Sequence, residues 1–322
     1  IDHVSKSFPG VVALDDISFQ IDSGTIHGLV GENGAGKSTL IKVISGIYTD
    51  YEGDIFIDNQ RLQINSVHEA QKKGIATIFQ ELTVVRELTV AENIFLGREP
   101  IGFAGVLDRA EMERKSDQVL NELNASFCPR DKVGDLSVAN QQLVEICKAL
   151  VLNTQILIMD EPTSSLTERE IKNLFSVINM LKAKGITILY VSHKLEEIFK
   201  ICDALTVLRD GKHIQTSSKS ATTPPDVIRM MVGRSLNMMY PPRTAQKGEL
   251  LLSVKNLTRV GEFKDVNFEV HAGEIIGFAG LIGSGRTELA KALFGATYPD
   301  KGEIKICNQN MKLFCHPREA IS

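Results

Sequence analysis

Gly31-Glu32-Asn33-Gly34-Ala35-Gly36-Lys37-Ser38-Thr39 is the stretch on which the fold turns. It fits the P-loop pattern G-x-x-x-x-G-K-[ST] in full. Its glycines let the backbone curl so that successive N–H groups converge on a chain of phosphates. Lys37 adds a flexible point charge for the outer phosphates. The Ser38 hydroxyl is placed to meet Mg²⁺, and a helix starting near Gly36 aims its positive end at the same anion. The flanks agree with this reading. Thr25–Val30 (TIHGLV) reads as a buried strand, and Lys37–Ser45 as a helix with Leu40, Ile41 and Ile44 on one face.

Outward from the loop, the chain repeats itself. LDDISFQIDSG and GLVGENGAGKSTLIK face FKDVNFEVHAG and GFAGLIGSGRTELAK without a gap, so that Gly31 matches Gly280 and Lys37 matches Arg286. The chain therefore holds two copies of one nucleotide-binding unit, the second of them partial. It starts with Ile1 rather than Met, which leads us to expect that it begins inside a longer protein.

Before the loop, residues 1–24 read as antiparallel strands and turns, with Phe8 in the short loop Ser7-Phe8-Pro9-Gly10. An aromatic there is placed either to stack on a base or simply to pack. After the loop, Gly53–Ile57 reads as a strand and Val67–Lys73 as a short helix. Ile75–Phe79 is a strand that delivers Gln80, a residue type able to reach a metal-bound water. Residues 85–150 are helical in pattern. Arg109–Leu123 has Met112, Val119, Leu120 and Leu123 on one side, and a further helix opens at Asp135-Leu136-Ser137.

Ile156-Leu157-Ile158-Met159-Asp160-Glu161 is the second decisive stretch. Four apolar residues make a buried parallel strand, and two carboxylates sit at its C-terminal end, where ligands bind in such sheets. Asp160 suits Mg²⁺, and Glu161 suits the activation of an attacking water. Thr167–Lys184 is an amphipathic helix. Thr187–Val191 is a further buried strand, delivering Ser192-His193, and His193 is placed to contact phosphate. From 216 to 248 the composition shifts to Ser, Thr and Pro, and 221–248 reads as a linker with a helix at Asp226–Val232.

Composition narrows the function. The formal charge is −4, with 36 basic against 40 acidic residues and no basic run, which argues against a nucleic-acid surface. Apolar runs are strand-sized and fall far short of the roughly 20 residues of a membrane span. Five cysteines form no C-x-x-C pair, so reduced cytosolic thiols are expected.

The P-loop at 31–39, Gln80, LSVANQQ at 136–142, ILIMDEP at 156–162 and His193 follow one another as in an ABC-transporter nucleotide-binding domain. Residues 1–220 resemble one whole domain of that family, with its helical subdomain near 85–150, and 249–322 resemble the start of a second. DEPTSSLTERE, SHKLEEIFKICD, MMVGR (230–234) and GLIGSGRTEL are similar to the ATPase subunits of bacterial monosaccharide importers. The resemblance implies an α/β P-loop NTPase fold: a mainly parallel core sheet, an antiparallel β-subdomain, a helical subdomain and a partial second copy. It implies ATP and Mg²⁺ as cofactors and ATP hydrolysis as the activity. Phe8 would stack on adenine, Gly31 to Thr39 would hold phosphates, and Ser38, Gln80 and Asp160 would hold the metal. Glu161 would be the general base, Gln80 and His193 its catalytic neighbours, and Ser137 and Ala139, with Asn140, the signature facing nucleotide on an opposite cassette.

The implied partners are an integral-membrane permease, a second ABC cassette in cis or trans, and indirectly a periplasmic or extracellular sugar-binding protein. The implied place is the cytoplasmic face of the cell membrane, as a peripheral subunit. Two departures stand out. LSGGQ is replaced by Leu136-Ser137-Val138-Ala139-Asn140, and the second P-loop has Arg286 and Glu288 where the first has Lys37 and Thr39. A weaker second site is expected, as is low turnover by the isolated chain. A soluble tandem ATPase acting on ribosomes or DNA would share the motifs but calls for a more charged linker and a basic balance. A regulatory module without turnover would not need both Glu161 and His193.

Overall fold

The computed structural model describes residues 1–102, 105–233, 247–281, 283–307, 309–311 and 316–321. The chain divides into two compact units, Ile1–Met239 and Tyr240–Ser322.

The first unit opens with β1 (Asp2–Phe8), β2 (Val11–Ile17) and β3 (Ile26–Val30), then α1 (Lys37–Ile44). Next come β4 (Glu52–Ile57), β5 (Gln60–Leu62), α2 (Val67–Lys72) and β6 (Ile75–Ile78). Three helices follow: α3 (Val90–Phe95), α4 (Arg109–Glu122) and α5 (Val138–Leu150). The unit is completed by β7 (Ile156–Asp160), α6 (Glu168–Ala183), β8 (Thr187–Val191), α7 (Leu195–Ile201), β9 (Ala204–Arg209), β10 (Lys212–Ser218) and α8 (Pro224–Val232).

Six strands form the core sheet in the order β10-β9-β3-β8-β7-β6. All pair in parallel except β10 on β9. β3 and β8 are buried at every residue, as strands covered on both faces must be. Their alternation sorts side chains between two cores. Ile26, Val30, Leu157, Met159, Ile188 and Tyr190 face the core shared with α3 to α8. Leu29, Ile158, Leu189 and Val191 face the core shared with α1 and the antiparallel sheet β2-β1-β4-β5. Asp160, two residues past Ile158, therefore falls on the α1 side of the sheet.

Local signals start the helices where the polar residues allow. Thr89 and Glu92 form a capping box on α3, and Thr167 and Glu170 form one on α6. Three expectations shift. Phe8 is the last residue of β1 and not part of a loop, because Ser7 and Phe8 pair with Val12 and Val11. β6 ends at Ile78, so Gln80 lies on the bend beyond it. The segment expected as a linker begins inside the first unit: α8 starts at Pro224, where the missing N–H costs nothing. It buries Val227 completely, and Arg209 donates to the Met230 carbonyl at 3.0 Å. Arg234 and Pro241-Pro242 lie outside the described residues, as does Ile282 of GLIGSGRTEL. Cys128, Cys147, Cys202 and Cys307 are free thiols, and Cys315 lies outside the described residues.

The second unit has β11 (Leu250–Arg259), β12 (Phe263–His271), α9 (Arg286–Leu293), β13 (Lys301–Ile306), β14 (Gln309–Met311) and α10 (Pro317–Ile321). Its antiparallel sheet runs β12-β11-β13-β14. The segment matching β3 has no strand partner among the described residues, and Ile275 and Leu281 are 97% and 86% exposed. β3 itself is held on both sides by β8 and β9.

His27 on β3 gives the fold a pH signature. It is 2% exposed, bonds Thr206 Oγ1 through Nε2 at 2.8 Å and stacks on Phe19. Burial lowers its pKa from 6.5 to about 4. Above pH 6.5 both folded and unfolded forms are neutral. As pH falls from 6.5 towards 4 only the unfolded form gains a proton, so stability drops, by about 3 kcal/mol in total, and then levels off. Denaturant unfolding between pH 7 and pH 4 should show this slope in the parent chain. It should be largely absent in His27→Gln.

Candidate functional site

The parallel sheet brings four segments to one edge. β3 ends in the P-loop, β6 leads to Gln80, β7 ends at Asp160 and β8 leads to Ser192-His193. Register does the fine alignment. Asp160 pairs with Val191, and the Glu161 N–H donates to the Val191 carbonyl at 3.0 Å. Glu161 adopts a left-handed φ of 46°, a conformation that a non-glycine residue keeps only when its surroundings enforce it. Its Oε1 lies 3.1 Å from Nδ1 of His193. The Glu161 side chain is 17% exposed and that of His193 is 54% exposed, so the pair opens to solvent from the histidine side.

In the P-loop, Gly36 caps α1 at φ 101° without a side-chain bond, and no acidic residue occupies the first turn. The leading N–H groups of α1 thus keep their positive end uncompensated. Lys37 is 7% exposed and donates through Nζ to the carbonyls of Gly31 at 2.7 Å and Glu32 at 2.9 Å. Burial lowers its pKa, opposed by the charges of Glu161 and Asp160. Asp160 is 9% exposed, and burial with the neighbouring Glu161 charge raises its pKa, against Lys37 and Lys42. Ala35 is buried, Thr39 half-buried, and Glu32, Asn33, Gly34 and Ser38 are exposed along the outer lip.

Other residues named from the sequence lie further out. Gln80 is exposed on its bend, with no side-chain hydrogen bond among the described residues. Ser137 is exposed at the start of α5, where its Oγ accepts from the Asn140 N–H at 3.3 Å, and Ala139 is half-buried beside it. Ser137, Ala139 and Asn140 line a groove of about 660 Å³ against α6. Phe8 packs edge-on against Tyr48 at 5.3 Å, over the buried Lys6 ammonium, which pairs with Asp50 at 2.6 Å. Tyr48 and Lys6 escaped the sequence reading because only the fold brings them together.

Helix α5 supplies two further polar contacts that the sequence reading missed. Gln142 donates to the Pro162 carbonyl at 2.6 Å, just past Glu161. Glu145 accepts from the Thr83 N–H at 3.2 Å and its hydroxyl at 2.7 Å, three residues past Gln80. The available signal was two polar residues at i, i+3 beside apolar ones.

The second P-loop differs. Glu288 sits in the first turn of α9, where its charge offsets the helix dipole. Strand register matches Val4 to Leu257, both fully buried and paired with Ile17 and Val266 respectively.

A glycine-bent loop between a buried parallel strand and a helix, facing a carboxylate-ended strand, defines a P-loop nucleotide-binding protein. A family model described as ABC transporter matches residues 14–164 and 263–322, and the chain belongs to that family. A protein of Hahella chejuensis, provisionally named a ribose/galactose/methyl galactoside import ATP-binding protein, is 48% identical over 319 residues, 99% of this chain and 62% of that protein. One of the same name from Geobacillus kaustophilus is 48% identical over 304 residues, 94% of this chain and 60% of that protein. The chain thus spans about three fifths of the length of the curated relatives it matches. A solved nucleotide-free ATP-binding cassette from an ABC transporter superposes with a TM-score of 0.64 at 30% identity, over 72% of this chain and 98% of that one. A solved ADP conformation of an ATP-binding cassette of an ABC transporter gives a TM-score of 0.63 at 30% identity, over 72% of this chain and 97% of that one.

Gly36 offers a direct test of the loop's packing. A Cβ there would stand 2.8 Å from the Ala13 carbonyl oxygen and 2.9 Å from Leu14 Cδ2, at a φ that side chains avoid. Gly36→Ala should destabilise the first unit by about 1–3 kcal/mol, read as a lower denaturation midpoint. An unchanged midpoint would contradict the described loop.

Proposed function

We propose that this chain is the ATP-binding and ATP-hydrolysing part of an importer that drives a monosaccharide through a membrane permease. The observation that carries the reading is the single sheet edge holding Lys37, Asp160, Glu161 and His193, in a chain 48% identical over 99% of its length to a provisionally named sugar-import ATP-binding protein. The partners are integral-membrane permease subunits, a second cassette in cis or trans and, across the membrane, a sugar-binding protein. The chain works peripherally at the cytoplasmic face of the membrane; among the described residues no helix is long and apolar enough to cross one.

Each residue's role follows from its chemistry. The N–H groups of Gly34 to Thr39 and the Lys37 ammonium hold the phosphates. Phe8, steadied by Tyr48, offers its ring to adenine. Glu161 takes the proton of the attacking water, and His193, in contact with it, faces the outer phosphate. Ser38, Asp160 and Gln80 form an all-oxygen donor set suited to Mg²⁺, and the raised pKa of buried Asp160 marks a carboxylate that a nearby cation would favour. When bound, Mg²⁺ neutralises charge on the transferring phosphoryl group. Ser137 and Ala139 would face nucleotide held by an opposite cassette.

In a reconstituted transporter, Lys37→Ala should cut hydrolysis about 100-fold or more, equivalent to about 3 kcal/mol of lost phosphoryl stabilisation. Glu161→Gln should keep Mg-ATP binding while hydrolysis stops. Steady-state phosphate release and fluorescent-nucleotide binding check both. Parent-like turnover by either variant would remove its residue from the site.

Photoreactive ATP should label the first P-loop much more strongly than the second, because Glu288 and Arg286 replace Thr39 and Lys37 there. Peptide mapping reads the ratio, and equal labelling would refute the asymmetry.

A further inference from the structure

Behind the Glu161–His193 contact lies a carboxylate that the roles above do not use. Glu197, on α7, is 6% exposed. Its oxygens draw donors from three parts of the chain. Thr163 Oγ1 shares its proton between them at 2.7 and 2.9 Å. Tyr190 Oη donates at 2.8 Å and Ser192 Oγ at 3.0 Å, both to Oε2, while Lys194 Nζ lies 3.2 Å from Oε1. Ser192 Oγ in turn accepts the Lys194 N–H at 3.0 Å.

These partners are specifically placed. Thr163 stands two residues past Glu161, and Ser192 and Lys194 flank His193 on either side. One side chain therefore grips the loop that leaves Glu161 and both shoulders of His193. Burial pushes the Glu197 carboxyl up, but the hydroxyl bonds of Thr163, Tyr190 and Ser192 and the charge of Lys194 outweigh it and hold its pKa below the usual value. An ionised carboxylate can accept all these donors at once, and a buried charge so bonded resists displacement.

We propose that Glu197 is a positioning residue that fixes the Glu161–His193 contact from beneath, by holding Thr163 and Ser192 on one carboxylate. The proposal rests on reading Glu161 and His193 as the hydrolytic pair.

Two measurements test it. The first needs no turnover. In the 322-residue chain, the imidazole NMR signals of His193, assigned by their loss in His193→Ala, should shift in Glu197→Ala and in Ser192→Ala. In the double variant the shift should fall short of the sum of the two, since Ser192 and Glu197 share one hydrogen bond. Unmoved His193 signals in a folded variant would overturn the proposal. Should Glu197→Ala fail to fold, Ser192→Ala and Thr163→Val each remove one hydroxyl donor from the carboxylate and decide the matter in the same way. The second measurement is hydrolysis by the full-length protein with its permease. Glu197→Ala should lower kcat about 10–100-fold with KM for ATP unchanged. A rise in KM that accounts for the whole loss would mark a merely structural residue and overturn the proposal. Absence of hydrolysis in the parent protein would defeat the proposed function, and the NMR measurement would still decide the role of Glu197.

Discussion

Burial of both faces of the central strands governs this molecule. β3, β7 and β8 place mostly apolar side chains above and below the sheet, and the polar residues of the site stand at or beyond their C-terminal ends. Because these strands run parallel, their C-terminal ends share one edge, and the P-loop, Asp160-Glu161 and Ser192-His193 arrive there together. The same burial sets the electrostatics. Lys37 is stripped of water and takes two backbone carbonyls as partners, while Asp160 is pushed towards its neutral form. Each is held in a state that a phosphate chain or a cation would relieve.

The loops at that edge are not left to themselves. α5 touches two of them, through Gln142 on the Pro162 carbonyl and Glu145 on Thr83, and α7 through Glu197 holds the loop after Glu161 at Thr163 and the loop that carries His193 at Ser192. Buried polar groups are costly when unpaired, so these contacts persist only if the backbone they grip stays in register. The helix that begins at Ser137 is thereby mechanically joined to the loops following Glu161 and Gln80. A displacement of α5 would be felt at both.

The two copies differ by small steps on one scaffold. In the first, α1 has no acid in its opening turn and Phe8 is available beside Tyr48. In the second, α9 carries Glu288 in its opening turn and Arg286 stands where the first copy has Lys37. Neither change disturbs the antiparallel sheet that both copies share. In the first copy β3 takes both its partners, β8 and β9, from Thr187 and beyond, far along the chain, as a parallel strand can.

The sequence alone determined the elements whose signals are local. The P-loop glycines, the apolar run ending in Asp160-Glu161 and the helical periodicities of α4, α5 and α6 were legible because period and turn chemistry depend on nearby residues. The internal repeat was legible for the same reason. Only the tertiary structure decided the contacts that join distant segments. It paired Val191 with Asp160 and so set Glu161 against His193, ended β6 before Gln80, packed α8 onto β9 and placed Phe8 on a strand beside Tyr48. It also assembled the donors around Glu197, which the sequence scatters from Thr163 to Lys194. Those relations come from strand order and register, which are fixed by the packing of whole faces and leave no mark on any single stretch of chain.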